Sequence, residues 1–211
     1  NYISQYLNRA RPFTINAFKR CGGYYAIVLE IFNEHKIPLE LSFLPLLESG
    51  FNPYAVSRSK ATGMWQFMRS TARELGLKSN EWVEERRDIE KSTLAAIMHL
   101  KNLYCIFGSW ELALASYNGG AGYIKKAMKK TGTSSFEELL KSGYLKMETC
   151  QFVHRYAALT VIYLNQERFG IKKDIPESLE IRTVNIILKS SVNLKETSRL
   201  LGADMETCLL Y

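Results

Sequence analysis

Apolar residues recur at helical spacing through most of the chain. Ile27, Leu29, Ile31 and Phe32 mark a helix over 24–35 that stops before Pro38. Similar runs predict helices over 39–48, 70–75, 91–107, 110–117, 122–130, 135–142 and 148–169. In 91–107 the expected inward face is Leu94, Ile97, Met98, Leu100 and Leu103. In 148–169 it is Phe152, Tyr156, Leu159, Ile162 and Tyr163. Gly22 with Gly23, and Asn118 with Gly119 and Gly120, are expected turns between helices. Little resembles a strand before Lys173, and 57–67 is an irregular stretch expected to form a loop or short hairpin.

The pattern changes after Lys173. Residues 174–176 have linker character, 179–187 are β-type in content, and 194–201 predict a short helix closed by Gly202, with another starting near Asp204. The fold expected is therefore mainly α: a helical domain over 1–173 and a small, truncated β-α-α C-terminal appendage over 174–211.

Composition narrows the class. The 211 residues are 46% hydrophobic and 23% charged, which excludes disorder, collagen-like repeats and a disulfide mini-scaffold. No apolar run approaches the ~18 residues of a membrane span. The chain opens on Asn1 without a signal segment, so any targeting or anchoring segment is expected outside it. A net charge of +7 favours an acidic partner, whether nucleic acid, an anionic membrane face or an acidic glycan. The one tight basic cluster, Lys125, Lys126, Lys129 and Lys130, fits a solvated helix face better than a nucleic-acid reader. Cys21, Cys105, Cys150 and Cys208 are widely spaced, with no CxxC pair. Buried free thiols are expected at Cys105 and Cys150, and no metal site.

Glu48 is the candidate for chemistry. It ends an apolar run (Leu41, Phe43, Leu44, Leu46, Leu47) and is followed by Gly50. A carboxyl set against an apolar wall loses hydration, which raises its pKa toward the value a general acid needs near neutrality. The alternative is a solvated carboxylate at a helix end. From Leu41 to Arg73 no other acidic residue occurs.

The surrounding motifs favour the acid. Glu48, Ser49, Gly50, Phe51, Asn52 and Pro53, then Ala55 and Ser57, then Gly63, Met64, Trp65, Gln66, Phe67 and Met68, then Ser116, Tyr117, Asn118, Gly119 and Gly120 resemble the lysozyme-like lytic transglycosylases of bacterial cell walls. Further stretches follow in the family's order, including Glu85 to Asp88, Ser92 to Ala96, Phe107 to Trp110 and Glu148 to Val153, so the resemblance covers roughly 24–170. It implies a lysozyme-like catalytic domain that needs no metal or organic cofactor. Such enzymes cut the β-1,4 bond between N-acetylmuramic acid and N-acetylglucosamine and leave 1,6-anhydro-muramic acid ends. One Glu acts first as acid and then as base, a departure from the two carboxylates of most glycosidases.

Carried over residue by residue, Glu48 matches the catalytic acid/base and Ser57 a serine at the muramyl acetamido group. Gln66 and Met68 match polar and apolar sugar contacts. Tyr117 matches a tyrosine beside the carboxyl, Asn118 a residue shaping that wall, and Glu148 a carboxylate at the start of the last helix. Plainer roles stay open: core for Trp65, Phe67, Met68 and Trp110, and a dipole-favoured helix start for Glu148. Trp65 replaces a common Met, and Cys150 stands where a basic residue is frequent. The appendage is faintly similar to LysM glycan-binding repeats. The resemblance implies peptidoglycan glycan strands as partner, with no nucleic acid, a monomer, and a periplasmic or envelope location with possible anchoring through a segment outside the chain. Two rivals remain, a hydrolase on the same fold and a silent wall-binding protein.

Overall fold

The computed structural model describes residues 1–172 together with Val192, Asn193, Lys195, Glu196 and Arg199. Nine α-helices form among the described residues: α1 Tyr2–Leu7, α2 Arg11–His35, α3 Leu44–Glu48, α4 Arg69–Glu74, α5 Ile89–Phe107, α6 Trp110–Gly119, α7 Ala121–Thr131, α8 Phe136–Lys141 and α9 Met147–Leu164. A tight 3-10 stretch, Leu39–Phe43, feeds directly into α3. The caps are local and legible. Asp88 accepts from Lys91 N at 2.9 Å to start α5, and Ser109 Oγ accepts from Leu112 N at 3.4 Å to start α6. Gly108 ends α5 at φ +66°, a left-handed position that suits glycine.

α6 lies between α5 and α9, and α2 packs along α5. The short α3, which ends in Glu48, is gripped by α9 and α2. Phe18, Phe32, Leu44, Leu46, Trp65, Ile97, Leu100, Leu112, Leu159 and Ile162 fill the centre. Burial of each such side chain is worth roughly 1.5–3 kcal/mol, so α3 is held by Leu44 and Leu46 rather than by the propensity of five residues. The core reaches Ile171, which is fully buried. The expected linker, the β-type stretch, the helix over 194–201 as a whole and Cys208 lie outside the described residues.

Three expectations are corrected. Gly22 and Gly23 form no turn; both lie inside α2. Phe18, Cys21, Val28 and Phe32 keep one face of α2 in the core, and that burial outweighs the ~1 kcal/mol that each Gly costs a helix. Leu94 and Met98 face outward, Met98 being 52% exposed. The buried face of α5 instead uses Ser92, Thr93, Ala96, Ile97, Leu100 and Leu103, whose small members let neighbouring helices approach closely. Cys105 is exposed on the outer side of α5, while Cys21 and Cys150 are buried free thiols. The 57–67 stretch does form short hairpin-like contacts, through isolated antiparallel bridges between Val56 and Thr62 and between Thr62 and Phe67.

Candidate active site

Glu48 is the last residue of α3. Part of it remains exposed, yet burial pushes its carboxyl pKa from 4.5 up to about 8. No neighbouring charge contributes to that shift, and among the described residues no hydrogen bond or ion pair holds the carboxyl. Water loss disfavours the anion and nothing nearby compensates, so the group keeps its proton at neutral pH.

The chain after Glu48 is fixed by its own small residues. Ser49 Oγ donates to Met64 O at 2.8 Å and accepts from Asn52 N at 3.0 Å, tying the end of α3 to the loop that follows. Gly50 turns at φ +61° against α2, where a Cβ would meet Ala17 and Phe13 at 3.3 Å and the Arg20 guanidinium at 2.7 Å. Arg20 Nε in turn donates to Gly50 O at 2.7 Å.

The loop over 52–68 carries three of the expected site residues. Ser57 pairs with Ala61 through Ser57 N to Ala61 O at 2.9 Å and Ala61 N to Ser57 Oγ at 3.0 Å. Its hydroxyl also lies 3.0 Å from Ser59 Oγ. Met64, Trp65 and Phe67 point into the core, leaving Gln66 and Met68 on the outside. Gln66 sits at φ +51°, rare for a residue with a side chain. Its Nε2 donates to Gly63 O at 2.8 Å and Ala55 O at 3.2 Å, which supports that conformation. Trp65 is core, with Nε1 donating to Thr93 Oγ1 at 3.0 Å and its ring stacked on Phe32.

A buried arginine clamps this loop from outside. Arg86 makes two hydrogen bonds to Glu84, at 2.7 and 2.6 Å, and reaches Phe67 O at 3.0 Å and Lys60 O at 3.1 Å. Gly63 packs so tightly on it that a Cβ would sit 1.8 Å from Arg86 O. The Glu85 to Asp88 stretch was visible in the sequence as part of a family motif. Its clamping role was not, because it spans 19 to 26 residues of separation.

α6 is bonded to the same loop. Tyr117 OH donates to Trp65 O at 2.8 Å. Burial first, and then the Glu48 charge, raise its pKa well above the ordinary phenol value, which places Tyr117 and Glu48 within electrostatic reach. His99, which the sequence did not single out, packs 5.3 Å from the Tyr117 ring and 6.2 Å from that of Phe67. Burial lowers its pKa, so it is neutral at pH 7. Asn118 Oδ1 accepts from Thr149 Oγ1 at 3.2 Å, joining the end of α6 to the start of α9. Glu148, one residue earlier in α9, is exposed beside that junction.

Residues 33–140, just over half of the chain and including Glu48, the loop, the Arg86 clamp and Tyr117, match the family described as Transglycosylase SLT domain. The chain belongs to that family. This SLT domain is 35% identical over 171 residues to membrane-bound lytic murein transglycosylase D of Escherichia coli K12, across 80% of this chain and 37% of that protein. It thus spans a little over a third of the relative's length. Its fold is similar to that of the 70 kDa soluble lytic transglycosylase Slt70 of Escherichia coli, with a TM-score of 0.57 and 19% identity over 68% of this chain and 24% of that one. An inactive mutant of the lytic transglycosylase Slt from Pseudomonas aeruginosa gives 0.56 and 22% over 69% and 24%. The mainly α, lysozyme-like architecture expected of the SLT domain is the one observed in the described residues. No helix among them is long and apolar enough to cross a membrane, and no cluster of three His, Cys, Asp or Glu is placed to hold a metal.

Proposed function

We propose that this SLT domain is a lytic transglycosylase of peptidoglycan, cutting the β-1,4 bond between N-acetylmuramic acid and N-acetylglucosamine. The observation that carries the reading is Glu48: an unpaired carboxyl that burial keeps protonated to about pH 8. It gives its hydrogen to the glycosidic oxygen as the bond to the muramyl anomeric carbon breaks, releasing the N-acetylglucosamine hydroxyl. The substrate's own 2-acetamido group steadies the anomeric centre. The Glu48 carboxylate then takes the proton of the muramyl 6-hydroxyl, whose oxygen closes on the anomeric carbon. Glu48 ends protonated again, a 1,6-anhydro ring is formed, and no water is consumed.

The other residues orient the strand. Ser57 offers its hydroxyl to the muramyl acetamido group. Gln66, with its amide hydrogens committed to the loop, offers its oxygen as an acceptor, and exposed Met68 supplies an apolar sugar contact. Tyr117 and Asn118 shape the wall beside the carboxyl, and Glu148 lies at the rim. Anionic peptide and lactyl groups on the wall suit a chain of net charge +7. An envelope location follows from that substrate. Digestion of purified sacculi tests the reading: products lighter by one water than hydrolytic muropeptides are expected, and reducing muramic acid ends would assign a hydrolase instead.

A further inference from the structure

The loop between α4 and α5 carries chemistry that the cleavage steps do not use. Trp82 is 90% exposed, the most exposed large apolar side chain among the described residues. Its segment is nonetheless built. Asn80 Oδ1 accepts from Trp82 N and Val83 N, both at 2.8 Å, and Asn80 N donates to Val83 O at 2.8 Å. Below this tip, Ser79 and Glu84 form an antiparallel bridge, and Ser79 Oγ donates to Glu84 Oε2 at 2.8 Å. Glu84 is held by Arg86, so the clamp that fixes the Gln66 loop also fixes the hairpin presenting the indole.

Beside the indole is an open hollow of about 590 Å³ lined by Arg69, Ser79, Asn80, Glu81 and Trp82. That volume falls within the ~300–1,000 Å³ of small-ligand sites. Its chemistry is two-sided: a flat aromatic face, with a guanidinium, a carboxylate and an amide around it. A pyranose ring has the matching character, with C–H groups on its face and hydroxyls at its edge, and those C–H groups sit well on the electron-rich face of an indole. Arg69 spends its Nε on Ser79 Oγ at 3.2 Å, keeping the outer guanidinium nitrogens for a ligand. It also directly follows Met68 in the chain.

We propose that Trp82, with Arg69 and Glu81, forms a second saccharide-binding subsite that takes an N-acetylated sugar ring of the glycan strand at a distance from the bond being cut. The inference rests on the peptidoglycan reading above and deepens it. A subsite of this kind holds long strands and leaves the proton transfers at Glu48 untouched.

Two measurements test it. In steady-state cleavage of long glycan strands, Trp82→Ala raises KM about three- to tenfold, the scale of one aromatic contact, while kcat is kept. An unchanged KM overturns the proposal, as does a loss confined to kcat. The second needs no turnover, so it decides the matter even if the cleavage reading fails. Chitooligosaccharides of increasing length are titrated into the Glu48→Gln protein while tryptophan emission is followed. A length-dependent shift that disappears in Glu48→Gln/Trp82→Phe supports the subsite. No shift at any length, or a shift that survives Trp82→Phe, overturns it. Because Trp82 buries almost none of its surface, melting curves of both Trp82 variants should overlay their parents.

Discussion

Tyr117 donates its phenolic hydrogen to the main-chain carbonyl of Trp65 at 2.8 Å, across 52 residues of sequence. That bond locks α6 to the loop that follows Glu48. It also commits the hydroxyl's only hydrogen, so the phenol has none left to donate to the Glu48 carboxyl. Tyr117→Phe removes the bond and leaves a carbonyl unpaired. The expected cost is about 1–3 kcal/mol, read as a lower urea midpoint, together with a fall in kcat larger than the change in KM.

Glu48 sets the pH response. Its folded pKa of about 8 lies above the ordinary 4.5, so between those values the folded chain holds a proton that the unfolded chain has released. Stability linked to this group is therefore full below pH 4.5 and declines as pH rises to about 8. Glu48→Gln has no such slope and should be more stable than the parent above pH 8. Urea unfolding at a series of pH values checks this. In the parent, kcat/KM should fall on the alkaline side with a midpoint near 8, as the acid loses its hydrogen.

The clamp can be tested at its two contact points. Gly63→Ala puts a Cβ 1.8 Å from Arg86 O at a backbone φ of +87°, and main chain cannot move aside as a flexible side chain would. A loss on the order of 4 kcal/mol is expected. Gly132→Ala, also left-handed at φ +73° but with nothing within 4 Å, should lose only about 1 kcal/mol. Thermal melts of the two variants give the comparison.

Arg86→Met strands Glu84 and frees the carbonyls of Lys60 and Phe67. About 3 kcal/mol of stability should go, the lower end for breaking a buried pair, because Glu84 keeps some exposure. Arg86→Lys should recover little, since one ammonium cannot reproduce a fork that reaches four acceptors. Denaturant midpoints of both variants distinguish charge from geometry.

Much of the architecture was legible because helical spacing dominates the chain. What stayed hidden depends on partners far away in sequence. Gly22 and Gly23 look like a turn until α2 is seen to bury Phe18 and Phe32 on one face. Leu94 and Met98 look like core until Ala96 and Thr93 prove to face the neighbouring helices. The motif pointed to Tyr117, but nothing local pointed to His99, which packs against its ring. The exposed Trp82 gave no signal either, because a tryptophan in a short polar segment is equally consistent with core.

The central claim is that one carboxyl holds its hydrogen near neutral pH, and the most direct measurement is a carbon-13 titration of the Glu48 side-chain carboxyl, assigned by its absence in Glu48→Gln. The expected midpoint lies near 8. A midpoint at the ordinary value of 4.5 would contradict it, because the group would then enter the reaction already ionised.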